Sequence, residues 1–371
     1  MIQTYSSTIR RKEMEAVLTC MVDEKIGPGE MNARLIQTVK EVTKCDGAVA
    51  VRSSAIALEY ALHALDLQAG AKVMLSALAP AWQILTVDKL DYVPMVLDVE
   101  ESTGLVPMKN VEEAVSEGGR VLVLRENMGI LPDMKSYLGL DIPIIEDISQ
   151  SALSYYPVEA SEEAQNQGGN EKAEKTGEEK DEAEAPKGKS AGMYGKYAIF
   201  GMEDTDIITA GGGAVVFAPA RKEWITLKAI ADNAPSTDIM PDMNAALAFV
   251  EIKEFKRNEA TRRDLFALYN RAIMSGKHKT FVRASDEGST IYSFPLVLNS
   301  GFKDVKAYAQ KKGIEIRQAY EDSIIAMRQE ELAGQCICAN SLLLRSALFP
   351  LYPRLGQKDA SRVVKVLSSL P

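Results

Sequence analysis

The feature that most constrains the fold is a regular alternation of short apolar segments with helical patterns, which begins at Gly47. Apolar runs of strand length occur in GAVAV, AKVML and VPMVLDV, and helical periodicity lies between them, as in SSAIALEYALHAL. The alternation continues through RVLVLRE to IPIIED. Such a pattern predicts an α/β fold in which crossover helices join the parallel strands of a doubly wound sheet. A sheet of this kind places ligands beyond the carboxyl ends of its strands.

Residues 157–195 interrupt this pattern. The segment is rich in Glu, Lys, Ala, Gly and Gln, and large apolar side chains are nearly absent from it. A segment of this composition buries too little apolar surface to offset the conformational entropy that is lost on ordering. The sequence therefore predicts a disordered acidic surface insertion over 157–195. One function open to it is that of a docking segment for a basic partner protein.

Strand and helix patterns return after the insertion. KYAIF predicts a strand, the glycine-rich IITAGGGAVVF follows it, and a long helical pattern covers residues 242–274. The remaining strand and helix patterns predict a smaller α/β unit. We therefore expect a large domain over residues 1–235, followed by a long linking helix and a small C-terminal α/β domain over residues 236–371.

Charge and composition narrow the classes of function. A formal net charge of -9 and a pI near 5.1 disfavour nucleic acids and anionic lipids as partners. The N-terminal segment becomes charged before any apolar run develops, and no later run approaches the ~18 apolar residues of a membrane span. A cytoplasmic protein without a membrane or nucleic-acid partner is therefore expected. The four cysteines and two histidines lack the spacing of a metal site, so no metal is predicted.

Several motifs follow one another in an order that is itself informative. AVAVRSSAIALEYAL and MGILPDM come first, and PIIEDISQSALS, ITAGGGAVV, DMNAALAFVEIKEF and LFPLYPRLGQKDASRVVKVL follow. Together they resemble the DegT/DnrJ/StrS family of nucleotide-sugar aminotransferases, which depend on pyridoxal 5'-phosphate (PLP), over nearly the whole chain apart from the insertion. The resemblance implies the PLP-dependent transferase fold type I, with a large, mostly parallel sheet domain and a small C-terminal α/β domain. It also implies PLP as cofactor, a sugar-nucleotide-like small molecule as substrate, and a homodimer or a heterodimer with an active paralogue.

The resemblance places cofactor-binding residues at four positions. Asp147, at the end of IPIIED, matches the carboxylate that keeps the cofactor's ring nitrogen protonated. Gln150, three residues later, would line the ring or contact its hydroxyl group. Ser53 and Ser54 stand where the family has Ser-Gly-Thr, at a helix N-terminus that would bind the phosphate. A serine pair at this point would also serve as an ordinary helix cap.

The family's cofactor lysine has no counterpart in FGMEDTDIITAGGG. Counting back from Gly211–Gly213 puts Thr205 at that position. A shift of one residue puts Asp206 or Asp204 there instead. Neither threonine nor aspartate can bind the cofactor covalently and then move a proton as the lysine does, so no catalytic residue is predicted. The nearest lysine, Lys196, precedes the strand rather than following it.

Arg317, in GIEIRQAY, resembles the family arginine that faces the amino donor or the sugar nucleotide, and an ordinary solvated arginine at a strand end is the other interpretation. The sequence thus predicts a family homologue associated with nucleotide-sugar and cell-surface polysaccharide biosynthesis that is defective in ordinary transamination. Two alternatives stay open. One is an active PLP-dependent sugar aminotransferase that uses a displaced lysine, and the other is a non-catalytic scaffold or partner subunit of an active paralogue.

Overall fold

The structure, a computed structural model, describes residues 1–157, 188–274, 276–283 and 288–371. Most of the chain before residue 220 belongs to one large sheet and the helices around it. The strands of this part are β1 (Gly47–Val51), β2 (Lys72–Ser76), β3 (Val93–Leu97), β4 (Gly119–Arg125), β5 (Ile144–Asp147), β6 (Tyr155–Pro157), β7 (Gly188–Ser190), β8 (Tyr197–Gly201) and β9 (Ala214–Ala218).

The large sheet has the spatial order β1-β9-β8-β5-β4-β2-β3. Strand β9 runs antiparallel to its neighbours β1 and β8, and the other pairs are parallel. All residues of β5 and β8 are buried, as expected for strands of a mostly parallel sheet that helices cover on both faces. The predicted α/β fold with a mostly parallel sheet is therefore confirmed.

The helices follow the strands closely along the chain, as crossover connections do. They are α1 (Arg11–Val22), α2 (Glu30–Thr43), α3 (Ser54–Ala64), α4 (Ala81–Lys89), α5 (Met108–Ser116), α6 (Met134–Leu138), α7 (Arg221–Asp232), α8 (Asp242–Lys253), α9 (Phe255–Ile273), α10 (Phe302–Lys311), α11 (Ile324–Met327), α12 (Gln329–Leu332), α13 (Ile337–Arg345) and α14 (Gln357–Leu367). The helical pattern over residues 242–274 therefore forms two helices, which meet at Glu254. None of the helices in the described part of the chain combines the length and apolarity needed to cross a bilayer.

A second, smaller sheet lies in the C-terminal part. It contains β10 (Phe294–Val297), β11 (Arg317–Gln318) and β12 (Ser346–Phe349), with β12 in the centre and antiparallel to both neighbours. The core beneath it includes Ile2, whose backbone hydrogen bonds with Gly313 and Glu315 at 2.8 Å each. The N-terminal segment is thereby anchored about three hundred residues away along the chain, and it runs past the ends of the central strands.

The structure describes two parts of the predicted insertion, Pro157 at the end of β6 and residues 188–195. Strands β6 and β7 pair with each other, and the turn after β7 is held by the buried carboxylate of Glu146. This carboxylate accepts hydrogen bonds from the backbone N–H groups of Gly192 at 3.0 Å and Tyr194 at 2.7 Å, and from that of Gly195. The prediction of disorder was therefore wrong for residues 188–195, because a buried acceptor compensates for their poor apolar content. Residues 158–187, with the hypothesis of an acidic docking segment, lie outside the described residues.

Candidate functional site

A cleft of about 210 Å³ lies at the carboxyl ends of β4 and β5, between the large sheet and the C-terminal part. The predicted residues Ser54, Gln150 and Arg317 line it, and Thr205 and Asp206 lie on its wall. Further side chains line the cleft, and they come from other elements of the fold: Tyr5, Trp82, Arg125, Glu203, Tyr292 and Tyr320. This is the position at which a doubly wound sheet binds ligands.

Asp147 ends β5 beneath the cleft, and its side chain is fully buried. Its Oδ2 accepts hydrogen bonds from Gln83 Nε2 at 2.7 Å and from Nη1 of Arg125. Its Oδ1 accepts from the backbone N–H of Ser149 at 3.1 Å and from Ser149 Oγ at 2.6 Å. Both carboxylate oxygens are therefore already hydrogen-bonded twice by the chain itself.

Arg125, the last residue of β4, is 8% exposed and lies among acidic side chains. Burial disfavours its charge, but Asp147 and Asp206 outweigh that effect and raise the pKa of the guanidinium above its ordinary value. Burial in turn raises the pKa of Asp206 to about 7, against the opposing effect of Arg125. The floor of the cleft is thus an ion cluster in which one cation lies between two carboxyl groups.

The N-terminus of α3 forms another wall of the cleft. Ser53 caps this helix, since its Oγ accepts a hydrogen bond from the backbone N–H of Ile56 at 3.2 Å. Ser54, the next residue, is buried and lines the cleft. The carboxylate of Glu203 faces the backbone N–H groups of Ser54 and Gly213, which lower its pKa, although burial raises that pKa by more. A carboxyl group of the protein therefore already faces the helix N-terminus.

Gln150 and Arg317 lie on different sides of the cleft. Gln150 Oε1 accepts a hydrogen bond from the backbone N–H of Met128 at 2.8 Å, and Gln150 and Tyr292 line the same cleft. Arg317 is partly exposed, forms an ion pair of 2.5 Å with Glu321, and lies over the ring of Tyr5 at 5.6 Å. The structure thus brings both residues to one cleft, with Gln150 inside it and Arg317 at its opening.

No lysine lines the cleft within the part of the chain that the structure describes. Thr205 and Asp206 occupy the loop that follows β8, where the resemblance placed the family lysine. Lys196 lies just before β8, where its Nζ forms an ion pair of 3.1 Å with Glu223. A strand of five residues, roughly 16 Å long, separates Lys196 from the carboxyl end of β8. Lys196 is therefore ruled out as the displaced lysine.

Comparison with known proteins identifies the family to which the chain belongs. A sequence model described as the DegT/DnrJ/EryC1/StrS aminotransferase family matches residues 7–368. The chain belongs to this family. Its fold is that of the family's solved structures. A putative sugar aminotransferase from Streptococcus pneumoniae, in its PMP form, superposes with a TM-score of 0.82 at 14% identity, covering 98% of this chain and 95% of the other.

Two further solved structures are similar in the same way. Helicobacter pylori PseC, an aminotransferase involved in the biosynthesis of pseudoaminic acid, has a TM-score of 0.81 at 13% identity, with coverage of 99% and 98%. A variant of the GDP-4-keto-6-deoxymannose-3-dehydratase ColD, with bound GDP-perosamine, has a TM-score of 0.79 at 14% identity, with coverage of 99% and 100%. At these identities the likeness extends to the fold, the PLP-dependent transferase fold type I.

PLP, which the family implies, can be tested against the residues of this cleft. The cofactor requires an amine for covalent attachment, a carboxylate for the ring nitrogen and backbone donors for the phosphate. The described cleft offers no lysine amine, both oxygens of Asp147 are engaged, and Glu203 faces the N-terminus of α3. The residues present do not fit the group.

Sequence reasoning missed Arg125, Glu203 and Tyr5. The sequence does contain a weak indication of Arg125 and Glu203, because each is a charged residue at the end of an apolar segment. Arg125 ends VLVLR, and Glu203 directly follows KYAIFGM. No local pattern indicates Tyr5, which reaches the cleft because Ile2 is bridged to Ile314, just before β11. Asn244, which the sequence placed on a helix of the family, is seen to hold the glycine turn, because its Nδ2 donates to the carbonyl oxygen of Ala210 at 2.8 Å.

Proposed function

We propose that this chain is a member of its family that does not carry out ordinary transamination and that binds a sugar-nucleotide-like small molecule in the cleft. Its biological setting would be nucleotide-sugar metabolism for cell-surface polysaccharide. The observation that supports the proposal is the chemistry at the lysine position, where Thr205 and Asp206 lie on the cleft wall. A hydroxyl or carboxyl group there can form no covalent bond of the required kind with an aldehyde carbon, so attachment and proton transfer are lost together.

The first experiment looks for covalent attachment. The purified full-length chain is incubated with PLP, reduced with borohydride and analysed by peptide mass spectrometry, with a known PLP-dependent aminotransferase treated in parallel. We expect no lysine to be modified stoichiometrically and no glutamate-dependent amination of a keto-sugar nucleotide. Stoichiometric labelling of a single lysine, together with activity that is lost when that lysine is replaced, would instead support the alternative of a displaced lysine.

The binding part of the proposal rests on the polar and aromatic groups of the cleft. Tyr320 is 4% exposed, and within the described residues its hydroxyl has no hydrogen-bond partner although it faces the cleft. A buried hydroxyl without a partner is costly, and a ligand hydroxyl would satisfy it. Arg317 at the opening provides a cation for a diphosphate, and Trp82 adds an aromatic face.

Calorimetric titration with a nucleoside-diphosphate sugar, such as UDP-glucose, tests this part. We expect saturable binding that Arg317→Met weakens about tenfold, which corresponds to about 1.4 kcal/mol. Arg120→Met, which removes an exposed arginine on β4 away from the cleft, is the matched control and should leave the affinity unchanged. Binding that is absent, or equally affected by both substitutions, would contradict a ligand site at the cleft.

A homodimer, or a heterodimer with an active paralogue, is part of the same proposal. One face of α1 supports it, because Met14, Leu18 and Val22 follow at helical spacing and are 51%, 54% and 79% exposed. A second copy of this chain is the occupant that we propose for this face. Light scattering should show a dimer that Leu18→Glu dissociates, and a natural chain that is monomeric at all concentrations would contradict the homodimer.

A further inference from the structure

Two charged side chains of this protein interact with the groups to which the family resemblance assigns the anchoring of PLP, Asp147 and the N-terminus of α3. The first is Arg125, whose guanidinium donates to Oδ2 of the buried Asp147. In a PLP enzyme the donor at such a carboxylate is the protonated ring nitrogen, which is also a cationic N–H group. Arg125 therefore provides this interaction from within the chain.

The second side chain is Glu203. Its carboxylate faces the backbone N–H of Ser54, the first residue of α3, and that of Gly213 in the glycine turn. Its position beside this turn is independently defined, since a Cβ added at Gly212 would lie 3.6 Å from Glu203 Oε2. A helix N-terminus attracts anions because its N–H groups are unpaired and its dipole is positive there. Glu203 thus provides the negative charge that a phosphate would otherwise bring.

The two positions belong to one connected network. The backbone N–H of Glu203 donates to Asp206 Oδ2 at 2.9 Å, and the Asp206 carboxyl group acts together with Asp147 on the guanidinium of Arg125. The charges therefore continue from Asp147 beneath the cleft to the N-terminus of α3. A molecule of PLP in the same place would have to displace Arg125 from Asp147 and bring its phosphate next to a like charge.

We propose that Arg125 and Glu203 replace PLP in this protein, with the guanidinium in the place of the protonated ring nitrogen and the carboxylate in the place of the phosphate, so that the folded chain excludes the cofactor. The inference deepens the proposed function, because it concerns reversible binding of the cofactor as well as its covalent attachment. It assigns a role to two residues that the chemistry of transamination does not require.

The experiment compares reversible binding of PLP and of pyridoxal, which lacks the phosphate, by equilibrium dialysis of the full-length chain. The natural protein should show no saturable binding of either. Glu203→Gln removes the like charge without changing the size of the side chain, and it should raise the affinity for PLP at least about tenfold while leaving pyridoxal unaffected. Arg125→Met should raise the affinity for both, and PLP should increase the melting temperature of the double variant.

Asp322→Asn is the matched control, because it removes a negative charge from the same cleft at an exposed position on the loop before α11. It should leave the binding of PLP unchanged. If the variants at Arg125 do not fold, the comparison of PLP with pyridoxal in Glu203→Gln alone decides the question. Equal binding of PLP by the natural chain and by Glu203→Gln would overturn the inference.

The two proposals fail in distinguishable ways. Saturable, reversible binding of PLP to the natural chain without attachment to a lysine would overturn the exclusion of the cofactor and leave the proposed function intact. Attachment of PLP to a lysine in the cleft would overturn both.

Discussion

Replacing Glu251 with glutamine should make the protein more stable than the natural chain at alkaline pH. Glu251 on α8 is 1% exposed, and Glu13 on α1 is fully buried. Within the described part of the chain, Oε1 of each has no hydrogen-bond partner. Burial and the Glu13 carboxylate raise the pKa of Glu251 to about 8, against the opposing charge of Arg262.

The sign of the pH dependence follows from this raised pKa. The folded protein holds the Glu251 proton up to about pH 8, whereas the unfolded chain releases it near 4.5. The stabilisation by this proton is therefore complete below pH 4.5 and is lost as the pH rises through 8. The interval of about 3.5 pH units, at 1.36 kcal/mol each, corresponds to at most about 5 kcal/mol. Glutamine resembles the protonated acid and cannot titrate, so the variant avoids this loss.

Urea-induced unfolding followed by circular dichroism at several pH values between 5 and 8 provides the test. The quantity of interest is the free energy of unfolding of Glu251→Gln minus that of the natural chain, in which the titration of groups that do not interact with Glu251 cancels. We expect this difference to grow by about 2 to 4 kcal/mol across the range in favour of the variant. Glu112→Gln, at an exposed position on α5, is the control and should show no trend. A difference for Glu251→Gln that is constant within about 1 kcal/mol would refute the reasoning.

Two further predictions concern the region around the cleft. Arg125→Met should lower the free energy of unfolding by about 3 to 5 kcal/mol, because it leaves Asp147 buried without its cation. The double variant with Asp147→Asn should lose less free energy of unfolding than the sum of the two single variants. Strict additivity in urea unfolding would show that the pair is not coupled. Gly129→Ala should cost about 2 to 4 kcal/mol and Gly70→Ala about 1 kcal/mol. Both glycines have positive φ (+70° and +73°), but an added Cβ would clash with the Thr290 carbonyl oxygen at Gly129, whereas it would meet open space at Gly70. Equal changes in melting temperature for the two variants would contradict this account.

The central strands were predictable because their signal is local. The runs VLVL in β4 and YAIFG in β8 are apolar and buried along their whole length, and buried strands of a mostly parallel sheet require that composition. Asp147 was assigned through the family resemblance, and its place at the end of a buried strand is where such a sheet binds ligands. The order of the motifs then led to the family, which the match over residues 7–368 confirms.

The boundary of the insertion could not be predicted in this way. By composition alone, residues 188–195 resemble the acidic segment that precedes them. No pattern within these residues predicts an ordered turn. The turn is ordered by Glu146, a buried acceptor more than forty residues earlier, whose hydrogen bonds to Gly192, Tyr194 and Gly195 form only when β5 and β8 are neighbours. A long-range contact of this kind leaves no local pattern.

The amino-acid sequence by itself determined the α/β class, the family and the absence of a lysine before the glycine turn, because periodicity, motif order and residue identity can all be read along the chain. Only the tertiary structure decided which charged side chains meet beneath the cleft. Arg125, Asp147, Glu203 and Asp206 come from three separate segments, and their charges act on one another only where the ends of β4, β5 and β8 converge. Electrostatic interactions depend on distance and burial in space, and sequence separation carries no information about either.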